Sequence, residues 1–278
     1  MEDFSGFQGF QELFIMFPSI VIFGRTIWSY QILSLLGIFS AGIYTCSVCK
    51  KTNHDDNEAI IFLLVISIGV LIGAHFLYIL INIRTIVYFK NNISIVNAGD
   101  NFKNTVLKLL GGSVFYGGLL GGILTAYIYV RKKPHYRYLI DIITPAIPLF
   151  HFWGRIGCFL GGCCYGIESP FGFTSRHSLV MEANRINRFP VQLAEAFFNF
   201  VLFVILDYLI RKKIFQEKLL YVYLLSYSTG RFFIEFLRGD KDRGVFLFLS
   251  TSQIVSIMII CIVLLKVFRL LLFGQKSA

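Results

Sequence analysis

The chain has 278 residues, of which 56% are hydrophobic, 17% aromatic and only 15% charged, and its mean hydropathy is +0.68. A soluble domain of this size runs nearer half apolar and a quarter charged, so this composition excludes a water-soluble globular protein and requires lipid to cover the excess apolar surface. The net charge of +10 sits largely in loops between apolar runs, which fits anchoring to anionic lipid and setting of topology rather than nucleic-acid binding.

The chain opens Met1-Glu2-Asp3, with no basic stretch and no small-residue cleavage site, so no removable signal peptide is expected. Phe7 to Phe23 is apolar and aromatic but short, and glycine and Pro18 break it. With the rest of residues 1–27 it reads as an interfacial segment. Apolar runs follow at about 28–48, 59–81, 106–130, 138–157, 191–210, 219–237 and 250–273. Each is long enough to cross about 30 Å of hydrocarbon as a helix. The expected fold is therefore all-α, a single membrane domain over 1–278 with about seven transmembrane helices. Three short loops are dense in positive charge: Lys50-Lys51; Arg131, Lys132, Lys133 and Arg137; and Arg211, Lys212, Lys213 and Lys218. They alternate correctly for one side, which places them and the C-terminus in the cytoplasm. The N-terminus and the long loops 82–105 and 158–190 then lie outside.

Ionisable residues inside spans cost about 2.5–3.5 kcal/mol each at a helix centre and need a partner, a cavity or a water path. Here they fall on single helix faces at about 100° per residue. The second span carries His75, Tyr78 and Asn82; the fourth Asp141, Thr144, Pro148 and Arg155; the fifth Gln192, Glu195 and Asn199; the sixth Tyr227, Arg231, Glu235 and Arg238. Any one stripe has a packing explanation: Arg231 and Glu235 are spaced to pair along their helix, and Arg238 is placed to snorkel. Four stripes in one bundle point instead to a polar cavity that opens to the outer leaflet. In the third span, Gly117-Gly118 and Gly121-Gly122 form overlapping small-residue pairs, suited to a close helix crossing that can also wall a cavity.

Six cysteines complete the inventory. Cys46 and Cys49 form a CxxC, and Cys158, Cys163 and Cys164 cluster in the long outer loop. A CxxC raises a quinone-linked thiol–disulfide oxidoreductase as an alternative, but this topology separates that pair from the outer cluster. No His-rich partner completes a metal pattern. The outer cysteines either pair, Cys158 with Cys163 or Cys164, or serve as small apolar fillers.

Three stretches stand out in order: Phe115-Tyr116-Gly117-Gly118-Leu119-Leu120-Gly121-Gly122; Gly154-Arg155-Ile156-Gly157 running on to Tyr165-Gly166; and Phe189-Pro190-Val191-Gln192-Leu193-Ala194-Glu195, followed by Arg231-Phe232-Phe233-Ile234-Glu235-Phe236-Leu237-Arg238. Together they resemble the bacterial prolipoprotein diacylglyceryl transferase family, from about residue 18 to 273. They look like its His-Gly-Gly segment, its Gly-Arg-x-Gly-Asn signature, and its Pro-Ser-Gln-Leu-Tyr-Glu and Arg-Phe-x-x-Glu-x-x-Arg motifs. Four positions depart: Tyr116 stands for the His, Cys158 and Gly161 for the two signature Asn, and Cys163 for the Glu. A thiol cannot reproduce an amide's hydrogen bonds. A lipid-binding or transport paralogue without transfer activity is the alternative these departures raise.

The resemblance implies a multi-pass enzyme of the bacterial plasma membrane. It would move a diacylglyceryl group from phosphatidylglycerol to the lipobox cysteine of a prolipoprotein signal peptide, releasing glycerol phosphate. It implies no metal and no cofactor. Arg155 and Arg231 are the expected clamp on the lipid phosphate, since guanidinium binds it two-pronged and stays charged, with Arg238 next. Tyr116, His75 and Tyr30 are the candidates to receive the acceptor thiol's proton. Tyr30 stands where the family has a tyrosine at the head of its first span, and His75 where it has an arginine. Gly117, Gly118, Gly154, Gly166, Gln192, Glu195 and Glu235 are expected to shape the substrate site, Glu195 by orienting an arginine. The attacking thiol belongs to the substrate, so none of the chain's own cysteines is expected to be the nucleophile.

Overall fold

A computed structural model of the chain describes residues 17–83, 115–133, 135, 137–175, 178, 180–240, 245–246 and 248–273. A hairpin of β1 (Ser19–Ile22) and β2 (Arg25–Trp28) leads into helix α1 (Ser29–Lys51), followed by α2 (Asp56–Ile81), α3 (Phe115–Lys132), α4 (Tyr138–Ile143) and α5 (Ala146–Gly161). Then come β3 (Glu168–Thr174), a 3-10 turn (Met181–Ala183), β4 (Asn187–Arg188), α6 (Val191–Arg211) and α7 (Leu219–Ile234). A second 3-10 turn (Glu235–Leu237), β5 (Val245–Phe246), β6 (Leu249–Ser250) and α8 (Thr251–Phe273) complete the order. Each of the three β pairs is antiparallel.

The protein is mostly helical and built for a membrane. The helices α1, α2, α6 and Thr251–Arg269 of α8 are long and apolar enough to cross one. Helices lie in every expected apolar run, but not always as one rod. The fourth run breaks into α4 and α5 at Thr144-Pro145, because proline has no N–H to continue the ladder and disfavours helix at the residue before it. The sixth tightens into a 3-10 turn at Glu235. In the third, the described helix begins at Phe115, and residues 106–114 lie outside the described residues. The first part of the interfacial segment, through Met16, also lies outside them, while Ser19 to Trp28 form the hairpin. Most of the loop 82–105 is likewise not described, whereas 158–190 contains β3 and β4.

The chain packs as two compact units, Cys49–Leu139 and the remainder, Met1–Val48 with Ile140–Ala278. In the smaller unit, α2 and α3 cross along glycine. A methyl at Gly73 would collide with the Gly117 carbonyl, and one at Gly121 with the Gly69 carbonyl, so only glycine admits this approach. Tyr129 donates to Glu58 at 2.9 Å at one end of the crossing.

In the larger unit, α6 packs against α5 and α7 around Leu202, Leu206, Leu219 and Tyr223. Asp141 accepts the backbone N–H groups of Glu217 and, at 3.2 Å, Leu219, which fixes the entry to α7. Tyr44 of α1 donates to Asp207 of α6 at 2.9 Å, and Arg211 pairs with the same carboxylate at 2.6 Å. These bonds absorb Asp141 and Asp207 structurally at the end of the unit away from Arg155.

Candidate active site

Helix α6 begins directly after Pro190, so its first turns present Gln192, Glu195 and Asn199 on one buried face. Opposite them, α5 delivers Arg155, α7 delivers Arg231, and the 3-10 turn at the end of α7 delivers Glu235. Glu195 lies between the two arginines: its Oε1 is 2.8 Å from Arg155 Nη2 and 3.9 Å from Arg231 Nε. Arg231 Nη2 reaches Glu235 Oε2 at 2.6 Å and Ser252 Oγ of α8 at 3.2 Å. The result is a chain of alternating charge, Arg155–Glu195–Arg231–Glu235, drawn from three helices and the 3-10 turn that ends the third. Burying such ions is costly unless each has its partner, which this order provides. Arg231 Nη1 is buried without a hydrogen-bond partner among the described residues. Arg155 is the more accessible arginine, its side chain 21% exposed against 8% for Arg231.

The rim of the site grows from the end of α5. Gly162 adopts the left-handed conformation, φ 71°, and turns the chain so that Cys163 N–H returns to the Cys158 carbonyl at 3.1 Å. Gln192 donates to the Cys163 carbonyl at 2.8 Å and ties this turn to α6. Gly166 bridges to Arg238, and a side chain there would strike the Phe189 carbonyl, which explains the glycine. Arg238 grips Asp240 through both nitrogens, one at 2.8 Å. Burial opposes its charge, but Asp240, Cys164 and Glu235 outweigh this and hold the guanidinium protonated. Arg188 stacks over the Tyr165 ring at 4.4 Å; burial and the Glu182 carboxylate push the Tyr165 hydroxyl upward. A cleft lined by Tyr165, Gly166, Arg188 and Gln192 does not include Arg155 or Arg231.

Of the residues singled out in the sequence, the structure brings together Arg155, Arg231, Glu195, Glu235, Gln192, Gly166 and Arg238. Tyr30 joins them: its ring packs on Gly157, beside Cys158 and Arg155. Gly154 faces open space. His75, Gly117 and Gly118 belong to the smaller unit. His75 is exposed, with Nδ1 3.0 Å from its own helix at the Leu71 carbonyl, while the two glycines are buried against α2. Tyr116 is in the first turn of α3.

Sequence reasoning missed His151. Its ring lies 5.5 Å from that of Tyr227, close to Asn199, Arg155 and Arg231. The signal was present, since His151 precedes Arg155 by four residues and so shares its helix face. Ser252 was missed because its link to Arg231 is tertiary, and Asp240 because it pairs with Arg238 across two residues of non-helical chain, outside any helix stripe.

The chain matches the family model for prolipoprotein diacylglyceryl transferase over residues 18–269. It belongs to that family. A phosphatidylglycerol–prolipoprotein diacylglyceryl transferase of Clostridium tetani is 34% identical over 87% of this chain and 92% of its own length. A second enzyme of that name, from Clostridium perfringens, is 31% identical over 86% and 89%. One from Campylobacter hominis is 31% identical over 90% and 89%. The oxidoreductase and transport alternatives gain no support from these matches. The departures at Cys158 and Cys163 fall on the rim beside Arg155 and Tyr30.

Proposed function

We infer that this chain transfers the diacylglyceryl group of phosphatidylglycerol to the lipobox cysteine thiol of a prolipoprotein and releases glycerol phosphate. The observation that carries this reading is the Arg155–Glu195–Arg231 layer in a chain of this family. It works as a single domain of the bacterial plasma membrane, with about seven spans around a polar cavity open to the outer leaflet.

The lipid phosphate binds at the donors that Glu195 leaves free on Arg155 and at Arg231 Nη1. Glu195 and Glu235 fix the two guanidinium groups, so little reorganisation accompanies charge development on the leaving phosphate. The thiol gives up its proton, its sulfur bonds to the terminal glycerol carbon, and the carbon–oxygen bond to phosphate breaks with its electrons going to oxygen. Tyr30, which adjoins Arg155, is the first candidate to receive that proton or relay it; Tyr116 and His75 are the others. Arg238, Gly154, Gly166 and Gln192 shape the rim where the signal peptide enters, while Gly117 and Gly118 act through the α2–α3 crossing that they permit.

The test is direct. Purified protein in detergent is incubated with phosphatidylglycerol and a lipobox peptide. Glycerol phosphate should appear in step with a peptide heavier by one diacylglyceryl group. An unchanged peptide with the lipid still bound would replace this reading with the binding or transport one.

A further inference from the structure

The sulfurs of Cys158, Cys163 and Cys164 lie within 4.8 Å of one another. The backbone is shaped to bring them there. Gly162 reverses the chain at the end of α5, and Cys164 itself sits at φ 56°, a left-handed conformation that a non-glycine residue adopts only where its surroundings impose it. Cys163 Sγ also reaches back to the Cys158 carbonyl at 3.7 Å.

A zinc-class ion bound to three thiolates at about 2.3 Å would hold its sulfurs about 4 Å apart, so a small contraction closes this cluster around one. The surroundings are cationic as well as carboxylate-paired. Three thiolates on a dication carry one net negative charge, and Arg155 and Arg238 both lie near Cys164. Among the described residues no fourth His, Cys, Asp or Glu joins the cluster. Three protein ligands with a position left for substrate is the pattern of catalytic rather than structural zinc. The cluster stands beside Arg155, where the lipid phosphate is proposed to bind, and beside Tyr30.

We propose that Cys158, Cys163 and Cys164 bind a thiophilic dication of the zinc class and leave its fourth position to the thiol of the acceptor peptide. The proposal rests on the transfer reading above. A coordinated thiol is deprotonated outright, which supplies the nucleophile where the family's His and Asn are missing. The thiol binds the ion and its proton leaves to water, relayed by Tyr30 beside the cluster. The bound sulfur then forms its bond to the glycerol carbon as the carbon–oxygen bond breaks toward the phosphate. The product thioether is neutral, a weak ligand, and departs. No atom changes oxidation state by an outside reagent, and the chain's own cysteines act as ligands, not as the attacking group.

The test uses the full chain purified in detergent without added chelator. Elemental analysis should find about one zinc per chain. Cys158→Ser and the Cys163→Ser/Cys164→Ser pair should lose it. After exchange for Co2+, a sulfur-to-cobalt absorption band should appear and intensify when the lipobox peptide is added, but not when its cysteine is replaced by serine. Wild-type protein that holds three titratable thiols or a disulfide, and takes up neither Zn2+ nor Co2+, would overturn the proposal. A cobalt spectrum indifferent to the cysteine peptide would overturn the open position. Glycerol phosphate release is measured in parallel. Full transfer by metal-stripped protein would defeat this proposal alone, whereas a loaded site that takes the peptide thiol without transfer would support it and defeat the transfer reading.

Discussion

Between α2 and α3 the chain packs backbone against backbone; between α5, α6 and α7 it packs charge against charge. At the first contact Gly69, Gly73, Gly117 and Gly121 remove every side chain, and van der Waals contact between main chains does the work. At the second, Arg155, Glu195, Arg231 and Glu235 bury four ionisable side chains that a purely structural interface would avoid. Replacing a buried ion pair with apolar residues is often neutral or stabilising, so stability alone does not account for the charged layer. The two contacts therefore answer differently to substitution: the glycine seam to volume, the charged layer to geometry and to unpaired charge.

The largest effect is expected from Arg231→Ala. It leaves Glu195 with Arg155 alone and strips Glu235 of its ion pair, which should cost about 3–5 kcal/mol of stability. Transfer should fall more than about 1,000-fold, about 4 kcal/mol in barrier. Thermal unfolding and glycerol phosphate release measure the two losses. Gly73→Leu comes next. Overpacking the seam should cost about 1–3 kcal/mol, with transfer per folded molecule changed less than by any arginine variant. If Gly73→Leu unfolds nothing yet abolishes transfer, the glycines line the substrate site and the contrast fails. The smallest effect is expected for Asp141→Ala, which removes the acceptor for two backbone N–H groups at the start of α7. Its cost should be about 0.5–2 kcal/mol, in the range of a lost helix cap, with transfer per folded molecule intact.

The same contrast sets what the sequence made legible. Helices were visible because apolar runs of sufficient length are a one-dimensional signal, and the glycine crossing because small residues recur every fourth position. The stripes put Glu195 and Arg231 on faces that the structure buries, since helical spacing is local. What spacing could not show is partnership. Asp141 and Arg155 share a stripe, yet Asp141 holds the backbone at the start of α7 and only Arg155 joins the charged layer, because Thr144-Pro145 splits the run between them. Nor could spacing show that Glu195 serves both arginines. The three outer cysteines looked like fillers or a disulfide for the same reason. Their convergence depends on two left-handed residues, Gly162 and Cys164, and the second gives no sequence signal.

The central claim is that Arg155 and Arg231 act on one phosphate through a shared carboxylate. A double-mutant cycle of Arg155→Lys and Arg231→Lys, read as the rate of glycerol phosphate release from phosphatidylglycerol, tests it most directly. Lysine keeps the charge and loses the two-pronged geometry. Each single change should slow transfer about 100-fold, about 2.7 kcal/mol. The double variant should be little slower than either single, because the two arginines act as a unit. Near-full activity in either lysine variant, or losses that multiply as for independent sites, would contradict the shared clamp.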